Sequence, residues 1–192
     1  MSKVIYIVLT ETSTVLARAI KLYTQENFSH VSIAFDPELK EMYSFGRKNE
    51  NNPFIGGFIQ ENPSSRLMSN AYCAVYSCPV TNEQYEKLKA MVEHYQSNKR
   101  HFKYNFIGLF FVACRIRLKR DNAFFCSQFI ATLLQQVGLS LAGRCPYLIK
   151  PADFTKLPYI HLCYTGLMRN YTKINGDEQP APIPVSAIHH IA

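Results

Sequence analysis

Cys126 and His30 are the two residues whose types and settings suit covalent chemistry. Cys126 stands in Phe124-Phe125-Cys126-Ser127-Gln128-Phe129, where a helix is expected to begin. Phe125, Phe129, Leu133 and Val137 recur at four-residue spacing, Ile130 and Leu134 widen the apolar face, and Gly138 supplies a stop signal. A thiol on the first turn faces N–H groups without intrahelical partners and the positive end of the helix dipole. Both favour thiolate, the form that attacks a carbonyl carbon. His30 stands in Asn27-Phe28-Ser29-His30-Val31-Ser32-Ile33-Ala34-Phe35, where Val31, Ile33 and Phe35 alternate with His30, Ser32 and Ala34 as in a strand. An imidazole there can take a thiol's proton and return it to a leaving group. Each residue alone also fits a packing role, since free cysteines are among the most buried side chains. Only the pair, with the histidine strand preceding the cysteine helix, points to nucleophilic catalysis.

The elements that must position this pair are legible around it. Residues 4–10 read as a strand, and a helix is expected over residues 15–24. Asp36-Pro37-Glu38 turns the His30 strand back into Glu41-Met42-Tyr43-Ser44-Phe45-Gly46. Residues 47–70, with Asn49 to Pro53 and Gly56-Gly57, read as a loop-rich insertion holding one short strand at Phe58 to Gln60. Tyr72 to Val80 forms another strand. Thr81 and Gln84 make a capping box for a helix whose apolar stripe is Tyr85, Leu88, Met91, Val92 and Tyr95. The apolar stretch from Phe106 to Ala113 suggests a short buried helix, Pro151 opens a further short one, and Tyr159 to Tyr164 reads as the last strand. Residues 171–192 are expected to be a flexible tail after a domain spanning 1–170. The fold class expected is α+β, a small and mostly antiparallel sheet with the Cys126 helix packed on it.

The motifs Phe28-Ser29-His30-Val31-Ser32-Ile33-Ala34, Tyr43-Ser44-Phe45-Gly46-Arg47 and Phe125-Cys126-Ser127-Gln128-Phe129 resemble those of the circularly permuted NlpC-type papain-like superfamily, which includes YiiX-like bacterial proteins and relatives of lecithin:retinol acyltransferase. The resemblance implies a papain-like fold in which Cys126 attacks an acyl or peptide carbonyl, His30 is the base, and the Cys126 backbone N–H helps bind the oxyanion. Relatives also place a tyrosine and an asparagine before the cysteine helix, which implies that Tyr104 and Asn105 line a substrate cleft. They usually carry a carboxylate, Asn, Gln or second His on the strand after the histidine, and here the sequence departs from the pattern. Pairing the hairpin about Pro37-Glu38 sets Ser44 opposite His30, with Tyr43 one residue off and Glu41 nearer the turn. A serine stabilises imidazolium less than a carboxylate does. Glu61, brought in from the insertion, is the remaining alternative.

The chain has 192 residues, a net charge of +7, 47% hydrophobic and 18% charged residues, which suits one globular domain and excludes a disordered chain. No apolar run reaches the roughly 20 residues that cross a bilayer. The apolar N-terminus lacks a cleavage site, and the six cysteines form no CxxC or zinc spacing, so a cytoplasmic protein with reduced thiols and no metal is expected. Phosphate-binding loops are absent and no cofactor is implied. The basic cluster Arg115 to Arg120 comes without a nucleic-acid motif, so no nucleic-acid partner is expected. The expected partner is a small peptide or an acyl or amide substrate; contact with a membrane surface is not expected, and no oligomeric state is assigned. The function expected is hydrolysis of amide or peptide bonds by a Cys126–His30 dyad or triad through a thioacyl-enzyme. The alternatives are a lipid acyltransferase or thioesterase, with Phe106 to Val112 and the basic cluster receiving an acyl lipid, and a catalytically weak binding module.

Overall fold

The computed structural model describes residues 2–11, 27–49, 52–101, 103–104 and 123–177. Its strands are β1 (Ser2–Glu11), β2 (His30–Ala34), β3 (Met42–Asn49), β4 (Asn52–Gln60), β5 (Tyr72–Thr81), β6 (Lys103–Tyr104), β7 (Ala123–Phe124) and β8 (His161–Leu167). The helices are α1 (Arg66–Ser69), α2 (Asn82–Ser97), α3 (Cys126–Gln136) and α4 (Met168–Asp177), with a 3₁₀ turn at Pro151–Lys156. Six strands form one antiparallel sheet in the order β4-β3-β2-β1-β5-β8, and β6 and β7 make a short parallel pair. The architecture is α+β, as expected.

Both faces of the sheet are covered, which decides its composition. Ile5, Ile7 and Leu9 of β1, Val31 and Ile33 of β2 and Phe45 of β3 belong to one core with Leu88 and Val92 of α2 and with Cys126, Phe129, Ile130, Leu133 and Leu134 of α3. Val8, Ala34, Met42, Cys73 and Val75 belong to a second core closed by Met68 of α1 and by Met168 and Tyr171 of α4. The alternation seen in β2 therefore separates two buried faces rather than a buried one from a wet one, and Ser32 is wholly buried. Helix α2 starts with the expected capping box, Thr81 and Gln84 each bonding the other's backbone N–H. At the end of α3 the Leu139 N–H reaches the Leu134 carbonyl at 2.9 Å, with Gly138 at φ 79°, a left-handed conformation that glycine adopts without a Cβ penalty.

Two expectations about the chain's layout are corrected. Residues 47–49 and 52–60 are strand rather than loop: β3 and β4 pair along their length, Gly46 with Gly57 and Arg47 with Gly56. The Gly-Gly pair sits within a strand where two backbones face each other, not at a turn. Nor does order end at 171, because α4 continues to Asp177; Tyr171 is buried and donates its hydroxyl to the Pro37 carbonyl at 2.8 Å. A tyrosine anchored on a distant turn is invisible in local composition. The expected helices at 15–24 and 106–113, and the tail beyond 177, lie outside the described residues. Among the described residues no helix is long and apolar enough to cross a membrane.

Candidate active site

The site begins with the turn between β2 and β3. The Asp36 carboxylate accepts the backbone N–H groups of Lys40 at 2.8 Å and Glu41 at 2.6 Å, and Leu39 adopts φ 60° while wholly buried. This closes a longer loop than a tight Pro37-Glu38 turn, so the register differs from the expected one. Ile33 pairs with Tyr43 and Ala34 with Met42. Counting on along both strands brings Ser44 opposite Ser32, and Gly46 opposite His30. A Cβ added at Gly46 would lie 3.0 Å from Ile59 Cδ1, 3.4 Å from Ser44 Oγ and 3.7 Å from His30 Cε1. A side chain here would crowd the end of Ile59 while making only ordinary contact with the imidazole.

The residue bonded to the imidazole is Glu61. It follows β4 directly, its N–H bonded to the Met42 carbonyl at 2.8 Å, so the long hairpin carries the carboxylate back to the histidine. His30 Nε2 lies 2.6 Å from Glu61 Oε1. Ser44 donates to that same oxygen, Ser32 donates to Oε2 at 3.0 Å, and Ser32 Oγ also lies 3.3 Å from Nε2. Ser44, expected as the residue orienting the imidazole, thus acts one step removed, by holding the carboxylate. Glu41 pairs instead with Lys89, and Tyr43 stacks on Phe58. Cys126, at the start of α3, lies close enough to His30 to raise its pKa. His30 is the first residue of β2, so its ring stands at the end of the sheet, where the first residue of α3 can reach it.

The electrostatics follow from burial and partners. Burial alone pulls the His30 imidazole down, but the Glu61 carboxylate and then Cys126 outweigh it and hold the ring well above its ordinary value of 6.5. Burial pushes Glu61 up, and the charge and hydrogen bonds of His30, with those of Ser44 and Ser32, bring it below its ordinary value of 4.5. An ion pair results. The His30 contribution to stability is complete below 6.5 and fades as pH rises through the raised folded value; that of Glu61 is complete above 4.5 and fades as pH falls through the lowered one. Urea unfolding of wild type and Glu61→Gln across pH 3 to 10 should therefore give a difference that is largest between those ordinary values and shrinks on both flanks. A difference independent of pH would show that the two groups do not stabilise the fold as charges.

Helix α3 offers the remaining chemistry. Its N-cap is Phe125, which makes no side-chain capping bond. Cys126 is 3% exposed, and Ser127 fastens the same turn by donating to the Ile149 carbonyl at 2.6 Å. Thr10 pairs with His30 across β1 and β2, and its buried hydroxyl has no hydrogen-bond partner among the described residues. Tyr104 lies in β6, near the β3–β4 hairpin; Asn105 lies outside the described residues. Among the described residues no group of three or more His, Cys, Asp or Glu side chains could hold a metal ion. The one residue whose direct role sequence reasoning underrated is Glu61; an acidic residue closing an apolar strand was the available signal. Ser32 was missed, although it shares the His30 face of β2. No family model matches the chain, and no curated protein matches it.

Proposed function

We propose that the chain is a cysteine-dependent hydrolase of amide or peptide bonds on a permuted papain-like fold, with Cys126 as nucleophile, His30 as proton carrier and Glu61 as the group that orients it. The observation that carries the reading is the imidazole bonded to a buried carboxylate at 2.6 Å and raised in pKa by the nearby thiol at the start of α3. In this mechanism the thiol proton resides on His30, and Cys126 Sγ attacks the carbonyl carbon. The oxyanion is received by the Cys126 N–H, and His30 protonates the departing amine as the C–N bond breaks. Water then attacks the thioester, giving a proton to His30, and the C–S bond breaks to release the acid and restore the pair. Glu61 keeps Nε2 occupied throughout, so that Nδ1 faces the chemistry. The carboxylate favours turnover over a merely binding role, because it stabilises the imidazolium that both steps pass through.

Limiting iodoacetamide, with labelled cysteines mapped by mass spectrometry from pH 5 to 9, tests the assignment. Cys145 and Cys163 are more exposed than Cys126, while burial pushes the Cys73 and Cys78 thiols up to about 12. Access alone predicts that Cys145 and Cys163 label first. The proposed pair predicts that Cys126 labels first at neutral pH, despite its burial. Equal or slower labelling of Cys126 would refute the nucleophile assignment.

A further inference from the structure

Helix α4 covers only part of the second face of the sheet. It starts where the Met168 N–H bonds the Ala71 carbonyl at 3.0 Å, and crosses to the β2–β3 turn, where Tyr171 bonds Pro37. Val8, Ala34, Met42 and Val75, in the core that it closes, are wholly buried. Toward the start of β1 the same face is open. Val4 and Tyr6 share it with Val8 by the two-residue period of a strand, and Pro79 and Ser77 of β5 pair directly with them. Val4 is 38% exposed, Pro79 is exposed and Tyr6 is half-buried. Ile174 continues the stripe of Tyr171 one turn further along α4, yet it is 47% exposed. Apolar side chains thus stand at core-facing positions without a cover among the described residues.

Tyrosines border this strip. Tyr6 and Tyr164 both pack against the second core, and the Tyr164 ring centroid lies 5.2 Å from that of Tyr171. Tyr164 and Tyr171 donate their hydroxyls to the Leu167 and Pro37 carbonyls, whereas the Tyr6 hydroxyl makes no hydrogen bond among the described residues. Burial, with Cys163, Glu38 and Asp36, holds that phenol protonated, so it is a donor. Aromatic rings beside a donor suit a polyproline helix, whose backbone carbonyls have no internal partners.

We propose that the strip seats this chain's own segment Pro180-Ala181-Pro182-Ile183-Pro184-Val185, which lies over Val4, Tyr6 and Pro79 as a polyproline helix and completes the second core. Helix α4 ends at Asp177, so only Glu178 and Gln179 separate it from Pro180. At about 3.1 Å per residue the segment spans about 19 Å. Four neighbouring strands at about 4.8 Å spacing take up about 14 Å, so it is long enough to cross β1 and β5 from the β2–β3 turn. Pro180, Pro182 and Pro184 fix φ in advance, which lowers the entropy lost on docking. The short tether gives an effective concentration on the order of millimolar. Residues 180–185 carry no charge, so nothing repels them from Asp36 and Glu38. Ile183 and Val185 supply the apolar cover. The proposal does not depend on the Cys126–His30 assignment.

NMR of the full-length protein tests it. Isoleucine and valine methyls are isotope-labelled in a deuterated background that keeps tyrosine protonated. Ile183→Leu, Val185→Ala and Tyr6→Phe assign the signals. Ile183 or Val185 methyls should show cross-relaxation to the Tyr6 ring; random-coil shifts without it overturn the proposal. In a mixture of methyl-labelled protein with deuterated tyrosine and unlabelled protein with protonated tyrosine, that signal should vanish. Its persistence would mean that a second copy's segment fills the strip, and intramolecular docking fails. Urea unfolding supplies the second measure. Ile183→Asp should lower the midpoint by about 0.5 M, and Ile191→Asp, beyond the segment, should leave it in place. Val4→Asp combined with Ile183→Asp should cost less than the two singly, because both break one contact. An Ile183→Asp midpoint equal to that of wild type overturns the proposal.

Discussion

Replacing His30 with alanine should slow both turnover and neutral-pH alkylation of Cys126 by about 10²- to 10⁴-fold, the usual worth of a positioned acid–base group. The proposed pair loses its base, and Cys126 is too buried to be activated by bulk solvent. The same substitution also strips Glu61 of its cationic partner, leaving a buried carboxylate held by Ser32 and Ser44 alone. Breaking such a pair by removing one member destabilises a fold, so lost activity from His30→Ala is ambiguous by itself. His30→Gln resolves the ambiguity. Its amide can still donate to Glu61 but cannot carry a proton between thiol and leaving group. Both variants should lose reactivity, while only His30→Ala should melt markedly earlier by circular dichroism. Alkylation of Cys126 in His30→Gln at the wild-type rate would mean that the imidazole plays no part in activating the thiol.

Phe129→Ala should be the most destabilising substitution in α3, at about 3–5 kcal/mol. Phe129 is wholly buried one turn beyond Cys126, with ring centroids 5.0 Å from Phe45 of β3, 5.7 Å from Phe58 of β4 and 5.1 Å from Tyr95 of α2. Three elements close on this one ring, so little can collapse into the space it leaves. Phe129→Leu, which keeps most of the volume, should recover a large part of the loss. Urea titration with a shared m-value gives the comparison directly. A cost below about 1 kcal/mol would mean that α3 is not docked through this ring. In the proposed enzyme the same contact has a chemical consequence, because it sets where the start of α3 meets His30. Phe129→Leu should therefore slow Cys126 alkylation more than it lowers stability would suggest, since an ångström of misplacement is costly to a preorganised pair.

Local signals were sufficient wherever a few neighbouring residues settle the outcome. The capping box of Thr81 and Gln84, the apolar face of α3 with its glycine stop, and the His30 strand all depend on residues within a turn or two of one another. The reading failed where a distant strand decides. Gly56-Gly57 looks like a turn in isolation, yet the partner strand supplies Gly46 and Arg47 across from it and keeps the segment extended. Tyr171 reads as the start of a polar tail until Pro37 provides its hydrogen-bond acceptor.

The sequence by itself determined the α+β class, the helix that begins at Cys126 and the strand that begins at His30, because periodicity and capping are properties of contiguous residues. Only the tertiary structure decided which carboxylate serves the histidine. Asp36 draws two backbone N–H groups into the turn and lengthens it, which moves the β2–β3 register and carries Ser44 away from His30. Strand pairing then brings Glu61 back from the end of β4, over a separation of 31 residues, onto Nε2. A two-residue change in register keeps Ser44 on the face of His30 but moves it along the strand, so the identity of the third residue rests on hydrogen bonds between strands, which no local pattern encodes.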